Sequence, residues 1–181
     1  MERFLDELEQ VIQILKLKKF HLLGQSWGSM LAVDFLLTRN PSGVASLILS
    51  GPCLSVARFT TDQKAWLLEF SESMQKIIQE KEASLDFQPP EYQDAMWAYY
   101  KRHVCRLAWP DCLMRSLAKM GRQVYEHMWG PSEFGMTGIL KDYDRTAHLK
   151  DIIVPTLFTC RRYDEATPSS TALYHDQLPG S

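Results

Sequence analysis

The spacing of apolar positions changes several times along the chain. At residues 2–17, Phe4, Leu5, Leu8, Val11, Ile12 and Leu15 recur at helical spacing, with Glu, Asp, Gln and Lys between them. Lys16, Lys18 and Lys19 close this amphipathic helix, where cations suit the C-terminal end. Phe20-His21-Leu22-Leu23-Gly24 is a short apolar run that reads as a strand. Ser29 to Arg39 predicts a helix with Met30, Leu31, Phe35 and Leu36 on one face, and Asn40-Pro41-Ser42-Gly43 stops it. Val44 to Ser50 predicts a second strand, ended by Gly51-Pro52. Short, nearly continuous apolar strands between helices predict an α/β fold with a parallel sheet covered on both faces. The βαβ crossover is expected to be right-handed.

The pattern then becomes purely helical. Residues 61–80 read as one helix with Trp66, Leu67, Phe70, Met74, Ile77 and Ile78 on its apolar side. Gln88-Pro89-Pro90 breaks the chain, residues 91–108 give a second helix, and Pro110 breaks it again. A third helix starts at Leu113, Leu117 and Met120 and runs on to Met128. This stretch carries no strand signal. The sheet pattern resumes at Ile152 to Cys160, with Pro155 near the start where a proline is tolerated. A loop from Arg161 to Pro168 and a short helix from Thr171 to Leu178 follow. The expected organisation is therefore a sheet-bearing core at 1–53 and 149–181, with a helical insertion at 54–148.

Composition narrows the classes. Of 181 residues, 45% are hydrophobic and 23% charged, near globular averages, so disorder and low-complexity architecture are excluded. A formal charge of -2 lacks the basic surplus of a nucleic-acid binder, so no nucleic-acid partner is expected. No apolar run approaches the ~20 residues of a membrane span, so no membrane partner is expected either. The acidic, amphipathic start does not resemble a secretory signal. Cys53, Cys105, Cys112 and Cys160 form no CxxC pair, which argues against structural zinc. They read as thiols in a reducing compartment, and the expected location is the cytoplasm.

Candidate chemistry sits at Gly24-Gln25-Ser26-Trp27-Gly28, a GxSxG motif between a predicted strand and a predicted helix. That is the setting of a nucleophile elbow. The turn is so tight that the serine is held in a strained conformation, and small flanking residues let the backbones pass. Ser26 Oγ then stands at a helix N-terminus, where N–H groups and the dipole favour developing negative charge. The Trp27 N–H is the candidate oxyanion donor. The bland alternative is an ordinary turn with a capping serine. An acid is expected in the loop after a later strand, where Asp164 stands four residues beyond Cys160. The base is expected after one more strand. His175 alone follows Asp164, and it reads as a surface helix residue. His21, His103, His127 and His148 precede Asp164 and fit no triad order.

Three segments together resemble the proline iminopeptidases, serine aminopeptidases of the α/β-hydrolase fold with a helical cap. They are His21 to Gly28, Gly130-Pro131-Ser132-Glu133-Phe134, and Val154 to Cys160 with Tyr163 to Pro168. The resemblance runs along nearly the whole chain. It implies Ser26 as nucleophile and Asp164 as triad acid. It also implies Glu133 and Glu165 as the carboxylates that bind the free α-amino group of a small peptide substrate. Paired carboxylates suit that task, because charge-assisted hydrogen bonds hold an ammonium and reject substrates without one. No metal or organic cofactor is implied, and the oligomeric state is left open.

The chain departs from the family pattern in several places. The Gly-rich loop that supplies the second oxyanion donor is not found before Ser26. Arg161 and Ser29 stand where the family often has glycine. The chain is therefore expected to be the middle segment of a longer α/β hydrolase: a partial parallel sheet of three strands plus the cap. The strands before it and the catalytic histidine would lie outside, and the strand at 20–24 would keep an open edge. Such a segment is not expected to hydrolyse peptides at a normal rate. Two other readings stay open: an esterase or amidase acting without an amino group, and a non-catalytic module whose sheet edge another chain covers.

Overall fold

The computed structural model describes residues 1–181. Its first elements are α1 (Glu2–Ile14), β1 (Phe20–Gln25), α2 (Trp27–Arg39) and β2 (Val44–Ser50). Five helices follow: α3 (Val56–Leu67), α4 (Glu72–Ser84), α5 (Pro90–His103), α6 (Asp111–Ala118) and α7 (Arg122–Met128). A 3-10 helix (Thr146–Asp151), β3 (Thr156–Thr159) and α8 (Pro168–Gln177) complete the chain.

The three strands form one sheet in the order β1-β2-β3, and both pairings are parallel. Leu22, Leu47, Leu49 and Phe158 point into one core with Ala32 and Val33 of α2, Leu149 and Ile152, and Tyr174 and Leu178 of the α8 region. Leu47, Leu49 and Val33 are fully buried there, each worth about 1.5–3 kcal/mol of transfer free energy. Side chains alternate across a strand, so the register Leu23–Ile48–Leu157 lies on the opposite face. Leu23 is 61% exposed and Leu157 is 56% exposed. The sheet is thus covered on one face within this chain, a correction to the two covered faces that the apolar runs predicted. β1 pairs with β2 alone and forms an edge of the sheet.

Two compact units emerge. The first comprises Met1–Ser55, Asp144–Arg162 and Ala166–Ser181, and the second comprises Val56–Tyr143 with Tyr163–Glu165. Within the first unit, the chain leaves at Ser55 and returns at Asp144. The two residues form an isolated antiparallel bridge, and Ser55 Oγ donates to Asp144 Oδ2 at 2.8 Å. Arg145 Nε then donates to the buried Asp34 of α2 at 2.7 Å.

The helical stretch contains more breaks than the spacing of its apolar residues predicts. The single helix expected at 61–80 is two helices, α3 and α4. Phe70 N–H turns back to Leu67 O, and the Ser71 hydroxyl accepts from Met74 N–H as an N-cap. The apolar stripe carries on across the break, which is why it reads as continuous. The helix expected from Leu113 to Met128 is likewise two, with Gly121 at the N-cap of α7. The second helix of this stretch ends at His103, short of the expected 108. β3 begins at Thr156, four residues later than expected. Ile152 N–H closes the 3-10 helix on Leu149 O, and Pro155 has no N–H for a ladder. Apart from the isolated bridge, residues 54–148 contain no β-structure.

Candidate active site

The elbow is built almost wholly from backbone. Ser26 lies between β1 and α2 with φ 51° and ψ -122°, a region that side chains avoid. Ser26 N–H donates to Ser50 O at 3.0 Å, which seats the turn on the end of β2. The approach is close: a Cβ on Gly24 would stand 2.4 Å from Gly28 O. Gly28 differs, since a Cβ there would meet nothing within 4 Å. Only one of the two motif glycines is therefore demanded by sterics within this chain.

Ser26 makes no side-chain capping hydrogen bond, so its hydroxyl is not spent on starting α2. Ser29, in the first turn of α2, bonds back to the elbow instead. Its hydroxyl, fully buried, donates to Ser26 O at 2.6 Å and accepts from Cys53 N–H at 3.0 Å. The serine found where a glycine is common thus ties the elbow to the turn after β2. Trp27 is the first residue of α2, and a first-turn N–H has no acceptor inside its own helix. Its ring packs edge-on against Phe4 at 5.0 Å.

The second unit holds the three carboxylates singled out from the sequence. Glu133 follows α7 on the Gly130–Gly135 loop, where Gly130 takes φ +135°. Tyr125 Oη and Trp129 Nε1 both donate to it, the latter at 3.2 Å. Burial pushes the Glu133 carboxyl up, against the opposing pull of Tyr125 and Trp129. Behind the loop, Glu82 accepts from Ser132 Oγ at 2.5 Å and from Tyr92 Oη at 2.6 Å. Ser132 Oγ in turn accepts from Phe134 N–H and Gly135 N–H. These bonds fix the loop by one serine and leave the next side chain, Glu133, to the tyrosine and the tryptophan.

Asp164 is 5% exposed and Glu165 half-buried, both in the segment after β3. Burial, then the charges of Glu165 and Glu133, raise the Tyr99 phenol far above its usual range. Tyr100 is raised the same way. The negative charges of Glu133 and Glu165 thus both act on these two buried phenols. A carboxylate in such partly desolvated surroundings suits a cation, which would favour its charged form.

Four of the five histidines lie at the surface: His21 beside Ser46, His148 beside Asp151, His175 beside Asp176, and His127 exposed. His175 is a surface helix residue, as the sequence predicts. His103 is buried, and its Nδ1 lies 2.9 Å from Tyr163 O. Sequence reasoning assigned no role to Ser29, Glu82, Tyr125, Gln63 or His103. For Gln63 a signal existed. It stands four residues from both Phe59 and Leu67 on the buried stripe of α3, a polar residue in an apolar row.

Residues 1–180 match a family described as the alpha/beta hydrolase fold. Among curated proteins, the chain is 40% identical over 183 residues to the proline iminopeptidase of Heyndrickxia coagulans, a match covering 100% of this chain and 63% of that protein. Among solved structures, it is similar to the proline iminopeptidase of Mycobacterium smegmatis, with TM-score 0.88, 32% identity, and coverage of 97% of this chain and 60% of that one. It is also similar to VinJ, with TM-score 0.91, 32% identity and the same coverage. The chain spans about three-fifths of the length of these relatives.

Proposed function

The chain belongs to the alpha/beta hydrolase fold family, and from that premise we propose that it carries the nucleophile and the amine-binding carboxylates of a serine aminopeptidase. The activity is release of N-terminal proline, or another small residue, from short peptides. Residues 1–53 and 149–181 serve as the hydrolase core and 54–148 as the cap. The cysteine spacing supports a reducing compartment, the cytoplasm.

Ser26 Oγ attacks the scissile carbonyl, forming an acyl-enzyme and expelling the shortened peptide as its amine; water then releases the amino acid. The Trp27 N–H donates to the oxyanion. Asp164 is the triad acid, whose task is to orient the histidine base. Glu133 and Glu165 bind the substrate's ammonium. The strained Ser26, with its hydroxyl unspent on capping, supports the first role.

The observation that carries the reading is Glu133. A carboxylate half-buried against Tyr125 and Trp129, with the charge of a second carboxylate acting on the same buried phenols, is costly unless a cation completes it. An N-terminal ammonium is such a cation. The relatives named proline iminopeptidases support the same reading.

The test is calorimetric binding to the full chain, which needs no base. L-prolinamide should bind, N-acetyl-L-prolinamide should not, and Glu133→Gln should weaken prolinamide by about tenfold or more, the worth of a hydrogen bond to a charged group. Equal binding of the two amides, or an unchanged affinity in Glu133→Gln, would sink the aminopeptidase reading and leave an esterase or amidase.

A further inference from the structure

The segment Tyr163-Asp164-Glu165 is held by its backbone. Its three successive carbonyls each accept from a different side chain of the helical insertion. His103 Nδ1 lies 2.9 Å from Tyr163 O, Trp66 Nε1 donates to Asp164 O at 3.0 Å, and Gln63 Nε2 donates to Glu165 O at 2.9 Å. A carbonyl only accepts, so His103 carries its proton on Nδ1. Its Nε2 is buried and makes no hydrogen bond.

The donors are themselves fixed. Gln63 accepts from the Tyr99 hydroxyl through Oε1, which settles which end of its amide faces Glu165. The His103 ring lies between Trp66 at 4.6 Å and Tyr99 at 4.8 Å. Gln63 and Trp66 are three apart on α3, and Tyr99 and His103 are four apart on α5, so each pair shares a helix face. The Arg106 guanidinium covers the Tyr163 ring at 3.8 Å. Gln63 is 1% exposed and His103 is 2% exposed, so water does not compete for the carbonyls they hold. The segment accordingly groups with residues 56–143 and not with the strand it follows.

We propose that Gln63, Trp66 and His103 are positioning residues, a clamp through which α3 and α5 set the geometry of Asp164 and Glu165. The clamp takes only backbone atoms of the segment, so both carboxylates are kept out of it. Its functional meaning rests on the reading of Glu165 as an ammonium ligand and Asp164 as the triad acid. A cap side chain far from either carboxylate in sequence then controls both.

The experiment uses the full chain with two variants. Trp66→Phe keeps a ring and deletes one N–H, and Gln63→Met keeps length and deletes the amide. Amide hydrogen exchange of residues 161–167 should become roughly 3- to 10-fold faster in each, the worth of one net hydrogen bond, with α1, α2 and α8 unchanged. L-prolinamide affinity should fall by a similar factor in Gln63→Met. Unchanged exchange overturns the clamp. Faster exchange with wild-type affinity overturns the positioning role. A wild-type chain that ignores prolinamide sinks the aminopeptidase reading instead, and exchange alone then decides the clamp. Nitrogen NMR of wild-type His103 needs no variant: the Nδ1–H tautomer supports the third anchor, and the Nε2–H tautomer overturns it.

Discussion

Between Gly24 and Ser29, six consecutive residues shape the elbow with main-chain atoms and one hydroxyl. The setting of Glu133 and Glu165 instead draws on side chains at Gln63, Trp66, Tyr99, His103, Tyr125 and Trp129, from three different helices and a helix end. The first is a local solution, and its information is contiguous. The second is a tertiary solution, and its information is scattered across about a hundred residues. A local site should fail abruptly when one backbone approach is blocked. A distributed site should change by degrees.

The largest expected effect is at Gly24→Ala. The new Cβ would collide with a backbone oxygen that cannot rotate away, so the chain should lose about 3 kcal/mol or fail to fold, as read by chemical denaturation. A Gly24→Ala chain as stable as wild type would deny that the elbow is sterically closed.

Ser29→Ala comes next. It deletes the donor to Ser26 O and the acceptor from Cys53 N–H, at a cost of about 1–2 kcal/mol in the same measurement. No loss would show that the β1–α2 turn needs no tie to the segment after β2.

Glu133→Gln tests the distributed region. Burial raises this pKa in the folded chain, so Glu133 favours folding below the ordinary carboxylate range and loses that contribution as pH rises through the raised pKa. Thermal scans across pH should therefore show Glu133→Gln gaining on wild type as pH rises. Ammonium affinity of the wild type should fall as pH drops through the same pKa. A stability gap that shifts the other way with rising pH would mean the carboxylate is stabilised rather than stored at a cost.

Two smaller effects complete the comparison. Ser26→Gly should gain about 1 kcal/mol, because glycine takes the φ of 51° without a Cβ penalty. Ser26→Ala should gain nothing of the kind. Gly28→Ala should be neutral or better by less than about 1 kcal/mol, since its Cβ meets nothing nearby and alanine suits a helix. A large loss at Gly28 would place a neighbour against α2 that these residues do not supply.

Much of the first region is legible in the sequence. β1, α2 and β2 follow from short apolar runs and a clear stop at Asn40-Pro41, and the elbow follows from Gly24 to Gly28 between them. The helical stretch was legible as helix but not in its breaks. The apolar stripe of 66–78 continues across Ser71, and only the capping bond to Met74 shows the turn. Glu133 and Glu165 are singled out through family resemblance alone, since no period or spacing pairs residues 32 positions apart. Tyr125, which holds Glu133, and the clamp on Tyr163–Glu165 were not legible at all. Gln63 stands among the buried residues of α3 and His103 among those of α5, yet a stripe gives a side chain's direction and not its partner.

The sequence by itself therefore determined the strand–elbow–helix unit, the helical character of the insertion and the parallel pairing of the short apolar strands outside it. These depend on spacing within a few residues, where backbone sterics and periodicity act. Only the tertiary structure decided that the Ser29 hydroxyl ties the elbow to the turn after β2 and that one sheet face stays open. It also decided that Tyr125 and Trp129 hold Glu133 and that Gln63, Trp66 and His103 hold the acid segment. Hydrogen bonds and burial across long separations depend on which surfaces meet, and that is fixed by packing of the whole unit rather than by any local run of residues.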